Sequence, residues 1–380
     1  MMRKRQNEAP ASVSDREAEQ FLRELLSIPS LSGAEGKASR YLAHWMGEHG
    51  YTARVDGAGN AIGERGHGGK QIVLLGHIDT FPGSVPVRVE GRELYGRGSV
   101  DAKGPLATFA VAAAAVDLPP DTRLIVIGAT DEESGSRGAR HILNRYRPIL
   151  CIIGEPSRWD RITLGYKGHL EMEWSWRGPL AHSAGPTLSP AEVAVDTWRN
   201  VQDLAERLNA GRSGSFARLE PTLTQLNTGR DGAHGWARMD IDLRLPPDID
   251  TEEVERSLRE LGQGAQMYFH GHEQAVVAEK SNSLTRAILV AVRAEGGTPR
   301  FVHKSGTSDM NVVAAEWACP VVAYGPGDSS LDHTPHEHIN LDEYLRASRV
   351  LRTALQTLVD QAASGKLITA AATKLRPPPS

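Results

Sequence analysis

The 380-residue sequence has only two cysteines, Cys151 and Cys319, and neither belongs to a CxxC pair. A disulfide framework and a CxxC metal site are thereby excluded, and the expected compartment is the reducing cytoplasm. Neither sign of charge dominates: 43 basic residues stand against 47 acidic ones, a net charge of -4. Without a chain-wide positive field, nucleic acid is not an expected partner. Long apolar runs are missing too. The longest small-apolar stretch, Leu106 to Val116, is stopped by Asp117 and two prolines and is too short to span a bilayer. The opening MMRKRQNEAPASVSD starts basic but continues polar, unlike a secretion signal, so no membrane association is expected.

What remains is ordinary globular composition, 40% hydrophobic and 24% charged, in a chain long enough for two or three domains. Helical spacing runs from about Asp15 to His49, through Phe21, Leu22, Leu25, Leu26, Tyr41, Leu42, Trp45 and Met46. Short continuous apolar runs follow: QIVLL, RLIVIGA, ILCIIG and PVVAYG. Runs apolar on both faces and too short for helices suit central strands of a sheet covered by helices. From about Thr163 to Gln274 the pattern changes to strict alternation, in HLEMEWSW and again in WARMDIDLRL. Between these two, Ala194, Trp198, Val201, Leu204 and Leu208 fall on one helical stripe. SLTRAILVAVRAEGG then returns to helical spacing, and a closing helix covers about Leu341 to Ala362. The expectation is an α/β domain with a mixed sheet and helices on both faces, built from residues 1–165 and 275–380. A smaller α+β domain, 166–274, is inserted into it. Residues 1–13 and 371–380 are expected to be flexible.

Each buried-type strand is followed by an acid or a histidine: His77 and Asp79, then Asp131, Glu132 and Glu133, then Glu155, and at greater distance His333. In open α/β sheets ligands bind beyond the carboxyl ends of the strands, so these segments converge on one edge. Asp101 joins them from GRGSVDAKGPL. Imidazole and carboxylate donors suit zinc, cobalt or manganese in a hydrolytic site. Two histidines and three carboxylates are too many for one ion; they suit two metals about 3.5 to 4 Å apart that share a carboxylate. Any one piece alone is also what a polar strand-capping loop shows, and in LDHTPHEHI the histidine could be His333, His336 or His338. Clustering so many acids without cations would be costly, which favours the joint reading.

In this order, GHIDTFPG, GRGSVDAKG, ATDEESGS, GEPS, AHSAGP, GTSDM and DHTPHEHI resemble the dinuclear zinc amidohydrolases and metallopeptidases that include acetylornithine deacetylase, succinyl-diaminopimelate desuccinylase and carboxypeptidase G. The resemblance runs from about residue 20 to residue 360. It implies that His77, Asp101 and Glu155 bind one metal, Asp101, Glu133 and His333 the other, with zinc the first expectation and cobalt the second. His333 is preferred because the family's last histidine stands four residues before a glutamate, here Glu337. The resemblance further implies that Glu132 is the general base, that Asp79 orients His77, and that the inserted domain forms a lid and homodimer interface. There His182 of AHSAGP would stabilise the oxyanion, and Arg244, Gly306, Thr307, Lys167 and Asn227 would bind substrate. The sequence departs from the family at Ala102, where methionine is usual, and in GYKG, which replaces a basic pair; neither touches an expected ligand.

Within the family, GHIDTFPG, GRGSVDAKGP, ITLGYKG and YGPGDSSLDHTPHEHI most resemble the hydrolases that release lysine, or ornithine, from the C-terminal glutamate γ-carboxyl of a small acidic amino-group carrier protein in lysine and arginine biosynthesis. Arg137, Arg140, Arg145, Arg147, Arg158, Arg161 and Lys167 stand against only Glu155 and Asp160 between Ser134 and Gly168, a local basic excess suited to such a carrier. The alternatives are an N-acetyl-lysine or acetylornithine deacetylase, a desuccinylase or a dipeptidase of the same family, and outside enzymes a metal-binding scaffold. Glu132, which has no purpose in a scaffold, weighs against the last.

Overall fold

A computed structural model of the protein describes residues 13–180, 182, 185–262 and 264–368. Among these, two compact units are distinguished, one from residues 13–164, 278–302 and 308–368, the other from 165–277 and 303–307. The ends expected to be flexible lie outside the described residues, apart from Val13. No helix among the described residues is long and apolar enough to cross a membrane.

The first unit opens with α1 (Asp15–Leu26), α2 (Gly36–Glu48), β1 (Thr52–Val55), β2 (Ala61–Gly66) and β3 (Lys70–His77). There follow β4 (Arg88–Glu90), β5 (Glu93–Tyr95), α3 (Lys103–Ala114), β6 (Thr122–Ala129), α4 (Arg137–Ile142), β7 (Pro148–Gly154) and β8 (Arg161–Tyr166). The second unit holds β9 (Gly168–Pro179), α5 (Pro190–Leu208), β10 (Glu220–Asp231), β11 (His234–Leu245), α6 (Thr251–Glu260), β12 (Gln266–Glu273) and β13 (Val276–Val277). The chain then continues through α7 (Ser283–Ala294), β14 (Arg300–Lys304), α8 (Asp309–Glu316), β15 (Val321–Ala323), β16 (His338–Asn340) and α9 (Leu341–Ala363).

The main sheet of the first unit runs β1-β2-β6-β3-β7-β15-β8. Its four central strands are parallel, and the flanking pairs are antiparallel, so the sheet is mixed. Ile72 to Leu75, Leu124 to Ile127 and Leu150 to Ile153 are all buried, which is why those runs read as continuously apolar. Each such side chain contributes about 1.5 to 3 kcal/mol on burial. Helix α3 is buried on every side, consistent with its Ala-rich, uniformly apolar sequence.

The spacing that predicts one helical stretch from Asp15 to His49 is interrupted. Helix α1 ends at Leu26, because Pro29 has no N–H to donate and its ring clashes with a continuing turn. The break has a use: Ser30 Oγ donates to Ile78 O at 2.7 Å, and Ser32 Oγ donates to Asp79 Oδ2 at 2.7 Å.

The second unit is an antiparallel sheet, β10-β11-β9-β12. The alternation of β9 and β11 sends Leu170, Met172, Trp174, Met239, Ile241 and Leu243 into a core shared with Ala194, Val201 and Leu204 of α5 and with Val254 and Leu258 of α6. Helix α5 starts on a capping box between Ser189 and Glu192 with a proline at its entry. Charged residues occupy the other face of the sheet.

Candidate metal centre

Register fixes where the polar residues leave the main sheet. His77 lies beside Ala129, and Gly76 beside Gly154, so His77, the turn after β6 and Glu155 emerge at one edge. The turn is held close by Gly138 at the start of α4, where a Cβ would meet Asn60 Oδ1 and Thr130 N at 2.4 Å each. Only glycine permits that approach. Asp131 takes φ +68° and His333 φ +60°, left-handed conformations uncommon outside glycine that often mark functional turns.

Two trios result. His77, Asp101 and Glu155 form one, and Asp101, Glu133 and His333 the other; in each, one ligand atom per residue lies within 4.8 Å of the others. Asp101 is common to both. Its Oδ1 is 3.1 Å from His77 Nε2, and its Oδ2 is 3.1 Å from His333 Nε2. His333 Nε2 is also 3.1 Å from Glu133 Oε2, and its ring stacks on Phe81 at 4.0 Å. Glu133 Oε1 is buried with no hydrogen-bond partner, an acceptor that a cation would satisfy. Two nitrogens and three carboxylates, one shared, fit a pair of divalent cations.

Electrostatics agree with that fit. The hydrogen bonds that His333 donates to Asp101 and Glu133 push it up to about 10. His77 is raised against the pull of its own burial, mainly by Glu132. Burial raises Glu155, and repulsion from Asp101 adds to it. Burial also raises Glu132; His77 opposes this, while Glu155, Asp309 and Asp101 reinforce it. The raised proton affinities of His77, Glu155 and His333 set protons in competition with metal charge, so metal binding there is coupled to proton release.

Glu132 belongs to neither trio, although its Oε2 lies 3.9 Å from His77 Nε2. Asp79, expected to orient His77, meets its Nδ1 through the backbone carbonyl at 3.1 Å and also holds other groups. Its Oδ1 is 3.5 Å from His77 Nδ1, but Oδ1 also accepts from Glu132 N and Oδ2 from Glu133 N, each at 3.1 Å. The carboxylate thus fixes the backbone of Glu132 and of Glu133 together. Glu337, quoted above only as a marker for His333, is fully buried and holds the shared ligand's loop. It accepts from Gly98 N at 3.1 Å, Val100 N at 2.9 Å, Asp101 N at 3.1 Å and Arg97 Nη1 at 2.7 Å. The sheet β16-β5-β4 brings these segments together, with His338 beside Tyr95.

In the second unit, Arg244 meets the loop of Gly306 and Thr307: its Nη1 donates to Thr307 Oγ1 at 3.3 Å. Lys167 is engaged with Glu220, Nζ to Oε2 at 2.7 Å. Asn227 does not join this group; it lies opposite Arg238, six residues along β11 from Arg244, roughly 20 Å at the strand rise. There it lines a groove with Glu171, Glu173, Trp236 and Arg238. His182 is exposed, and its carbonyl accepts from Gly185 N at 2.8 Å. Of the seven basic residues singled out, Arg158 pairs with Asp328, Arg161 with Asp160 and Lys167 with Glu220. Arg137, Arg140, Arg145 and Arg147 remain exposed on and just after α4.

The family profile described as Peptidase family M20/M25/M40 matches residues 73–357. The LysW-lysine hydrolase of Deinococcus radiodurans is 47% identical over 353 residues, covering 90% of this chain and 97% of that protein. The LysW-lysine/LysW-ornithine hydrolase of Sulfurisphaera tokodaii is 28% identical over 349 residues, 91% of this chain and 97% of that one. In solved structures, the metallo-carboxypeptidase Sso-CP2 of Sulfolobus solfataricus shares the fold, with a TM-score of 0.74 at 18% identity over 90% of this chain and 99% of its own.

Proposed function

The chain belongs to peptidase family M20/M25/M40, and from that premise we propose that this metal-dependent amidohydrolase cleaves the amide joining lysine, and secondarily ornithine, to the C-terminal glutamate γ-carboxyl of a small acidic carrier protein. Support comes from relatives named for LysW-lysine hydrolysis that align along nine-tenths of the chain.

The five ligands His77, Asp101, Glu133, Glu155 and His333 would hold two divalent ions, zinc in the first place and cobalt in the second. Such ions supply Lewis-acid charge and make nearby water more acidic. Glu132 is the general base: its carboxylate takes the proton of the attacking water and returns it to the departing lysine nitrogen. The observation carrying this role is that Glu132 stands beside the ligand Glu133 and within 3.9 Å of His77 yet outside both trios. Asp79 keeps that arrangement through the amides of Glu132 and Glu133. His182 would donate to the amide oxygen as it gains charge. Arg244, with Gly306 and Thr307, would take the carboxylate of the amino acid, with Lys167 as a further polar contact; Asn227, opposite Arg238 and six residues along β11 from Arg244, is too far to join them.

The acidic carrier would dock on the four exposed arginines of α4 and its following turn. A homodimer would form through the second unit, whose edge strand β10 is hydrogen-bonded to β11 on one side only and exposes Leu226. Two unpaired, buried cysteines suit the cytoplasm.

The deciding assay compares lysine release from a carrier conjugate with hydrolysis of acetyl-lysine, acetylornithine and succinyl-diaminopimelate, before and after chelation and metal add-back. The carrier conjugate is expected to show the highest kcat/KM. A preference for any of the small amides would overturn the substrate assignment, and activity indifferent to chelation would overturn the metal.

A further inference from the structure

The polar face of the second unit's sheet carries a network whose geometry has a consequence for substrate choice. Strand register sets His169 of β9 opposite Arg244 of β11, and Glu273 of β12 opposite His169. Two cationic side chains directly opposed on a sheet repel. Asp242 lies two residues before Arg244, on the same face, and resolves the conflict. Its Oδ2 accepts from His169 Nε2 at 3.1 Å and from Arg244 Nη2 at 3.1 Å, while its Oδ1 faces Arg244 Nε at 3.0 Å. His169 Nδ1 is 3.6 Å from Glu273 Oε2, so both ring nitrogens face carboxylates. An imidazolium, which donates from both, is the form that matches. Burial lowers the tendency of His169 to hold its proton, but the hydrogen bond to Asp242 and the nearby carboxylate of Glu273 prevail and push it up to about 9.

A guanidinium presents two flat edges to acids. Asp242 occupies the Nε/Nη2 edge of Arg244 and thereby fixes the plane of the fork. Among the described residues the Nη1/Nη2 edge meets Thr307, and since Nη1 donates to Thr307 Oγ1, the threonine hydroxyl keeps its own proton for a third group. The side chain of Arg244 is 30% exposed. A fork held in plane on one edge, with a hydroxyl donor beside the other, is matched by a carboxylate that accepts two or three hydrogen bonds.

We propose that His169 and Asp242 are positioning residues that set Arg244 and Thr307 for the α-carboxylate of the amino acid being released, making that carboxylate a requirement of recognition. The proposal rests on the function proposed above and deepens it. It separates N-acyl amino acids from N-acyl amines of the same length: Nα-acetyl-lysine is recognised, and N-acetylcadaverine, the same molecule without the carboxylate, is not.

The test uses the full-length, metal-loaded protein and these two compounds, by calorimetric binding and, where they are turned over, by KM and kcat. For the wild type, removal of the carboxylate is expected to weaken binding by about 10- to 100-fold, as for a hydrogen-bonded charge. In Asp242→Asn and His169→Phe that difference should shrink to about threefold or less, with kcat at saturation within about threefold of the wild type. His169→Gln, which keeps a donor toward Asp242, should restore most of it. The isosteric Asp242→Asn keeps the measurement available if His169→Phe fails to fold.

The outcomes separate the two readings. If the carrier conjugate is not cleaved but the carboxylate preference exists and vanishes in the variants, the network stands and the substrate assignment falls. If the conjugate is cleaved but the variants keep the full carboxylate preference, or lose kcat with KM unchanged, the network proposal is overturned. A wild type indifferent to the carboxylate overturns it as well.

Discussion

At the scale of single residues, the centre depends on dividing labour between adjacent acids. Glu132 and Glu133 are consecutive, yet only Glu133 falls in a trio with His333 and Asp101, so the proposed roles are base for the first and ligand for the second. Glu132→Gln retains the shape and removes the base. It should therefore lower kcat by at least about 100-fold, the range of general-base catalysis, while metal content measured by atomic absorption stays at the wild-type level. Loss of metal and activity together would refute the role. Asp79→Asn tests the layer beneath. An amide oxygen can accept one of the two backbone bonds, but its NH2 group cannot accept the other, so the 132–133 turn loses half its anchor. The expected result is a 10- to 100-fold loss in activity or metal affinity, typical of groups that orient ligands, with circular dichroism unchanged.

Among the elements, parallel strands did most to make the centre readable. QIVLL, RLIVIGA and ILCIIG are apolar on both faces because β3, β6 and β7 are buried on both faces, and the next polar residue in each must leave at the same edge. That is why His77, Glu132, Glu133 and Glu155 could be grouped from the chain alone. The anchors could not. Glu337 reaches Asp101 across more than two hundred residues, and the sheet that joins them has strands of three residues each, too short to show a period. Strand β10 is an exposed edge without clean alternation, and the network of His169, Asp242 and Glu273 exists only through cross-strand register. Helix α4 belongs to the same scale. Its exposed Arg137 and Arg140, with Arg145 just beyond, come directly after the turn that carries Glu132 and Glu133. Reversing all three to glutamate should raise KM for a carrier-linked substrate by about tenfold or more, most strongly at low salt. Hydrolysis of acetyl-lysine should be unaffected; an equal loss on both substrates would assign the arginines to the stability of the turn.

For the whole molecule, the proposed metal centre and the proposed dimer contact fall in different units. Both trios of metal-ligating residues found among the described residues lie in the first unit, and the proposed dimer contact lies in the second. Ions that bind the folded first unit but not its unfolded chain stabilise it by mass action, about 2.7 kcal/mol at a free concentration one hundred times Kd. In a unit of this size each kcal/mol moves the melting temperature by about 2 to 4 °C. Chelation should therefore lower the transition of the first unit by about 5 to 10 °C in scanning calorimetry, and zinc add-back should restore it. The clustered acids sharpen the effect, since Asp101 disfavours the charged forms of both Glu132 and Glu155 where no cation offsets it. Assembly should not follow. If β10 and the rest of the second unit carry the dimer, the mass measured by light scattering at 25 °C is the same with and without chelator. Leu226→Lys should halve that mass while the metal-dependent shift in melting persists. A dimer that dissociates on chelation alone would instead place the contact in the first unit.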